Sequence, residues 1–176
     1  MRRRGPGAPG ARLQPVGGVP RFLRAMGLIQ RRLPAALAAA WEAEVTASQR
    51  MAALAERVPG AGVRSRLLVQ SAFCRAHACR LLARLSTHGR GPLPVPPALS
   101  PQPPRLSEAL LQEAELARDS AARYGCAADL ARQQGDLSSA WVCELNGSEE
   151  ADRALQLRAM AREVEQQTDL HEPFAV

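Results

Sequence analysis

Lysine is absent from this chain, and aromatic residues are nearly so, with one Tyr, three Phe and two Trp among 176 residues. Every basic residue is therefore an arginine, a bias that fits a GC-rich gene and weakens any argument from arginine number alone. Few aromatics leave little for stacking on nucleobases. Sparse β-branched residues disfavour strands, whereas the dominant Ala, Leu and Arg favour helix. No stretch approaches the ~20 apolar residues of a membrane-spanning helix, and no apolar core for a secretory signal follows the N-terminal arginines. A glycine-rich phosphate loop is missing, as is a strand–turn–helix setting for a nucleophile. Cys74, Cys79, Cys126 and Cys143 fall inside helical patterns, not loops, which argues for reduced thiols acting as small core residues. Asn146-Gly147-Ser148 spells a glycosylation acceptor, but within a helical run.

Acid is also missing from residues 1–40, which hold eight Arg, whereas residues 41–176 hold fifteen Arg against seventeen Asp plus Glu. The basic excess thus belongs to a leader, residues 1–33, expected to be disordered or to contain a short amphipathic helix at Arg21 to Arg32 (RFLRAMGLIQRR). An acid-free, arginine-rich leader is what mitochondrial import reads. The expectation is a matrix protein if the leader is a cleaved transit peptide, and a cytoplasmic one otherwise.

Four helical segments follow. The first starts at Pro34, a residue suited to a helix start, and stops before PGAG at 59–62. The second runs from Val63 to Thr87, ended by His88 and Gly89. Ser107 and Glu108 open the third, with Leu110, Leu111, Ala114, Ala117, Ala121, Tyr124 and Ala128 on one stripe, and Gly135 ends it. Asp136 caps the fourth, in which Asn146-Gly147 predicts a kink or break. Trp41 and Trp141 read as core or bundle-end packing. Residues 89–105 hold seven of the fourteen prolines and must be extended. At ~3.1 Å per residue they span roughly 50 Å, more than the roughly 38 Å of a 25-residue helix. The expected fold is all-α: a four-helix bundle over 34–166, built of two antiparallel hairpins joined by a long Pro-rich crossover, with a tail at 167–176. A repeat supports the pairing. Setting Leu54-Ala55 against Leu130-Ala131 brings His77 opposite Arg153 and Leu81 opposite Leu157.

Two repeated hairpins with a long crossover resemble the ferritin-like superfamily, in particular its rubrerythrin and bacterioferritin-type members. In that family each hairpin supplies a carboxylate from its first helix and a Glu-x-x-His from its second, which together hold two irons. In AWEAEVTASQRMAALAERV, Glu44 matches the first carboxylate. In FCRAHACRLLARL, His77 matches the histidine, but Cys74 replaces the glutamate. In LARDSAARYGCA, Ala117 replaces the third helix's glutamate, seven residues before Tyr124. In EEADRALQLRAM, Glu150 matches and Arg153 replaces the histidine. The resemblance therefore implies a di-iron centre reduced to Glu44, His77 and Glu150. A guanidinium donates only and cannot ligate, so Arg153 is expected to pair with Glu150 or Glu44. Glu42, Glu113, Glu115 and Glu149 are the substitutes if the alignment is out by a turn.

A zinc site of Cys74, His77 and Cys79 is the sharper alternative, but residue 79 lies roughly 140° around the helix from 74, and Cys126 or Cys143 would have to complete it. The sequence thus points to a non-catalytic interaction or assembly protein on a ferritin-like scaffold, without cofactor, engaging a protein partner or a second copy through helix faces. The alternatives are a di-iron oxidase or metal-binding protein with substituted ligands, and a basic-arm binder of nucleic acid or an anionic membrane surface, without base specificity.

Overall fold

The computed structural model describes residues 21–90 and 105–169, together with 93, 98, 99, 101 and 103 of the crossover; side chains are described from residue 32 to residue 167. The described residues form four α-helices and no strand: α1 Arg21–Arg57, α2 Ala61–Thr87, α3 Leu106–Gln133 and α4 Leu137–Asp169. The helices pack in the cyclic order α1, α2, α4, α3, with the closest packing inside the hairpins α1–α2 and α3–α4. Cross-hairpin pairs fix the directions. Arg50 meets Glu113 and Glu44 meets Tyr124 between α1 and α3, while Arg66 meets Glu163 and Arg80 meets Asn146 between α2 and α4. Both pairings are antiparallel.

The crossover runs the length of the bundle, as its reach requires. Leu93 packs on the cluster containing Leu81 and Leu85 near the end of α2, and ten residues later the Pro103 carbonyl accepts a bond from Arg57 Nη2 (2.8 Å) at the opposite end. Glycine closes two helices where a left-handed residue is needed: Gly89 (φ 67°) after α2 and Gly135 (φ 73°) after α3. Asp136 caps α4, accepting from the Ser139 backbone N–H at 3.0 Å. Arg105, not Ser107, occupies the cap position of α3, without a side-chain cap bond.

Other boundaries differ from the sequence reading. α1 begins at Arg21, so Pro34 lies inside it and the helix continues into the leader. An interior proline costs ~3 kcal/mol through a lost hydrogen bond. Fully buried Leu33 and Leu37 flank it, and each returns about 1.5–3 kcal/mol. α4 shows no break at Asn146-Gly147 and runs on to Asp169. Asn146 is fully buried and bonded to Tyr124 and Arg80, and a Cβ on Gly147 would stand 3.1 Å from Tyr124 Cβ. That glycine serves close approach of α3 to α4 rather than a kink. Leu111 is exposed rather than part of the α3 stripe. Trp141 is 62% exposed, because it lies with Leu137 and Leu155 on the outer stripe of α4. Residues 1–20, which hold four of the eight arginines behind the import expectation, and residues 170–176 lie outside the described residues. Among the described residues no helix is long and apolar enough to cross a membrane.

The core has two apolar ends. One gathers Met51, Leu54, Leu67, Leu110, Leu157 and Met160, and the other Leu33, Leu37, Leu81, Leu85, Tyr124 and Cys143. Between them in the chain order of α1, α2 and α4 lies a belt of buried polar groups, which Tyr124 of the second end joins from α3.

Candidate functional site

The belt is built by helical spacing. Cys74 and His77 stand three apart on α2, and Glu150 and Arg153 three apart on α4, so each pair shares a face. α1 adds Glu44 and α3 adds Tyr124. Glu44, Cys74, His77, Glu150 and Arg153 are all at most 3% exposed, an unusual density of charge for a bundle interior.

His77 is the hub. Its Nε2 lies 2.7 Å from Glu149 Oε2, and its Nδ1 lies 3.3 Å from Glu44 Oε2 and 3.4 Å from Glu150 Oε1. Burial alone pulls the imidazole's pKa down, but the Glu150 and Glu44 carboxylates together outweigh it and raise the value from 6.5 to about 9. At neutral pH the ring is therefore an imidazolium with carboxylates on both nitrogens. Glu149 is itself held low, chiefly by its bond from Arg80 (Nη1 to Oε2, 2.5 Å), and Arg80 also reaches Asn146 Oδ1 at 2.8 Å.

Arg153 answers the second half of the belt. Its Nη2 donates to Glu150 Oε2 at 2.6 Å, and its Nη1 lies against Cys74 Sγ. Burial raises the Cys74 thiol to about 12; Arg153 opposes that rise while Glu44 and Glu150 reinforce it. The thiol is therefore neutral. Tyr124 donates to Glu44 Oε1 at 2.8 Å and accepts from Asn146 Nδ2 at 3.2 Å, and burial followed by the Glu44 charge drives its pKa upward. Formally the two carboxylates of Glu44 and Glu150, the guanidinium and the imidazolium sum to zero. Four atoms remain without aligned hydrogen bonds here: Glu44 Oε2, His77 Nδ1, Glu150 Oε1 and Arg153 Nε. One ligand atom each from Glu44, Cys74 and Glu150 lies within 4.8 Å of the others.

Of the positions singled out in the sequence, Glu44, His77 and Glu150 converge with Cys74 and Arg153. Ala117 is fully buried in the apolar cluster of Met51 and Leu157. None of the possible substitutes stands in for it. Glu113 is buried but paired with Arg50, Glu115 is exposed and paired with Arg158, Glu42 is part-buried, and Glu149 sits outside His77. Cys79 and Cys126 are exposed, so only Cys74 and Cys143 behave as core residues, and Cys74, His77 and Cys79 cannot share one zinc ion. Arg80 escapes the sequence reading, in which Asn146 figures as a kink position rather than as part of the site. Asn146 lies four and seven residues before Glu150 and Arg153, a helical spacing that marks one face.

No family model and no curated protein matches the chain. Among solved structures it is similar to the crystal structure of a protein from Xanthomonas campestris pv. campestris, with a TM-score of 0.69 and 20% identity, over 81% of this chain and 99% of that one. At that identity the likeness shows the fold alone.

Proposed function

We propose that the protein is a non-catalytic interaction or assembly bundle, derived from a ferritin-like scaffold, in which an internal charge network stands where that family holds metal. One observation carries the reading: the Arg153 guanidinium lies inside the carboxylate cluster, bonded to Glu150 and against Cys74. A pair of irons does not fit these residues. Cys74 and Ala117 stand where carboxylates are needed, and Arg153, a donor only, stands where a neutral imidazole is needed. With His77 protonated the belt is neutral without an ion. The outer stripe of Leu137, Trp141 and Leu155 on α4 supports a role for helix faces in contacting a partner or a second copy. Iron(II) or zinc loading followed by metal analysis of the repurified protein tests the reading. The expected outcome is no tightly held metal, and about two irons per chain would overturn it.

A single divalent ion is a second reading, favoured by the buried, unbonded Glu44 Oε2, His77 Nδ1 and Glu150 Oε1 with the Cys74 sulfur nearby. Those residues would hold the ion, which supplies Lewis acidity when bound. Two carboxylates, a thiolate and a guanidinium would balance its two charges, so binding would release the protons of His77 and Cys74. The high pKa of Cys74, raised first by burial, weighs against this state. Cobalt(II) titration with a pH indicator separates the readings. Release of two protons with a thiolate-to-cobalt absorption that Cys74→Ser removes supports the ion, and a silent titration supports the network alone.

A further inference from the structure

The belt is reached from outside along one side. α1 and α3 face each other largely through alanines and do not close, leaving two adjoining cavities that share walls at Ala39, Ala43, Glu44, Ser120 and Arg123. The larger, about 500 Å³, is lined mostly by Ala36, Ala40, Ala122, Ala127 and Leu130. Its phenolic group, Tyr124, is already bonded to Glu44 and Asn146. The smaller, about 290 Å³, is the more polar of the two and is walled in part by Arg50, Arg123 and Arg153. Together they form a trench with an apolar and a cationic end, of the size of small-molecule sites.

A stripe of alanines is no site by itself, but Arg153 gives the trench a recognition group. It is 3% exposed, and its buried Nε has no hydrogen-bond partner. A buried donor without a partner is costly, and an anion is the partner that suits it best. Arg123, on the rim, donates to Ser120 Oγ at 3.1 Å and has no carboxylate partner among the described residues. Glu42 and Glu44 also line the polar end, which disfavours multiply charged anions. Glu44 directs Oε1 to Tyr124 and Oε2 towards His77.

We propose that the trench between α1 and α3 binds an amphipathic monocarboxylate, its apolar chain along the alanine end and its carboxylate at Arg123 and Arg153. This goes beyond the bundle's proposed role and holds with or without a metal in the belt. Cys126, exposed and lining the apolar end, is a built-in reporter, and exposed Cys79, outside both cavities, is its internal reference.

The test measures alkylation of Cys126 relative to Cys79, by mass spectrometry on the full chain, with dodecanoate below its micellar concentration. Dodecanoate is expected to slow Cys126 selectively, while dodecanol and acetate at equal concentration do not. Arg123→Ala, a change at an exposed position, should weaken protection about tenfold, the loss of one charge-assisted bond. Ala40→Phe, which fills the apolar end, should abolish it. Absence of protection by dodecanoate overturns the proposal. Equal protection by dodecanol, or by dodecyltrimethylammonium, overturns it as well, since either would mean adsorption without carboxylate recognition.

Discussion

Raising the pH from 7 to 9.5 should remove a large contribution to stability, that of His77. The buried Cys74 and Cys143 thiols, raised from 9.0 to about 12 and about 11, add a smaller loss as pH rises through 9. The folded pKa of His77 is raised from 6.5 to about 9 because carboxylates of Glu150 and Glu44 outweigh the opposing effect of burial. The native state therefore holds a proton that the unfolded chain has lost. That contribution is fully present below pH 6.5 and disappears as pH rises through about 9. Each pH unit between those values should cost about 1.4 kcal/mol, about 3 kcal/mol in all. That is a large part of the roughly 5–15 kcal/mol typical of a domain.

The absence of lysine makes this window unusually clear. Arginine keeps its charge throughout, and changing Cys79 and Cys126, both exposed, to serine removes their thiolates from the comparison. Urea unfolding followed by far-ultraviolet circular dichroism at half-unit pH steps gives the stability profile. A parallel nuclear magnetic resonance titration of the His77 ring gives the folded pKa directly. His77→Gln should start less stable and show a nearly flat profile until pH approaches 9, where only the shallower fall from the buried Cys74 and Cys143 thiols remains. A flat wild-type profile between pH 7 and 9.5, or a His77 ring that titrates below pH 7, would refute the imidazolium between two carboxylates.

Three further perturbations separate the belt from its surroundings. Arg153→Met should cost about 3–5 kcal/mol, because it takes from buried Glu150 the guanidinium bonded to it and leaves only the longer approach of His77, and adding Glu150→Gln should recover part of that loss; a double-mutant cycle from urea melts checks the coupling. Gly125→Ala, where a Cβ meets nothing within 4 Å, should stabilise α3 by about 1 kcal/mol, whereas Gly147→Ala should bring no such gain because its Cβ would meet Tyr124 Cβ at 3.1 Å; paired thermal melts show the contrast. Asp136 is held at about 2 against 3.8, where burial raises its pKa but Ser139 and Arg84 lower it further. Its contribution is present above pH 4 and lost as pH falls through about 2, so Asp136→Ala should cost about 1–2 kcal/mol at pH 7 as a lost cap and flatten the acid limb of the stability profile.

The helices and their order were legible because period, proline and glycine speak locally. Gly89 and Gly135 ended helices where they stood, and the prolines of 89–105 allowed only an extended crossing. Pro34 and Asn146-Gly147 misled for a shared reason. A local cost of about 1–3 kcal/mol per residue is outweighed when the same turn buries Leu33 and Leu37 or lets Tyr124 sit against Gly147. At the site, three-residue spacing was enough to pair Cys74 with His77 and Glu150 with Arg153. It could not reveal Arg80, because a cross-helix partner has no signature in its own helix. Nor could it show that Cys79 and Cys126 face solvent while Cys74 and Cys143 do not, since all four sit inside helical patterns without a sharp apolar stripe.

That alanine richness also bears on why a charged belt persists in the core. Replacing a buried ion network with well-packed apolar groups is often neutral or stabilising, so stability alone is a weak reason to keep one. Alanine faces, however, are nearly uniform, and helices that meet through them can slide by a turn with little change in packing. A slip of one turn between α2 and α4 would pull His77 away from Glu149 and Glu150, Arg80 away from Asn146 and Glu149, and Arg153 away from Cys74. The buried imidazolium would be left with Glu44 alone, a costly loss for a buried charge. The fully buried Glu150 and Asn146, with His77 and Arg153 between the apolar ends, thus penalise every alignment but one. The same uniformity on the other side leaves α1 and α3 unable to close on each other, so the residues that weaken register there also open the trench.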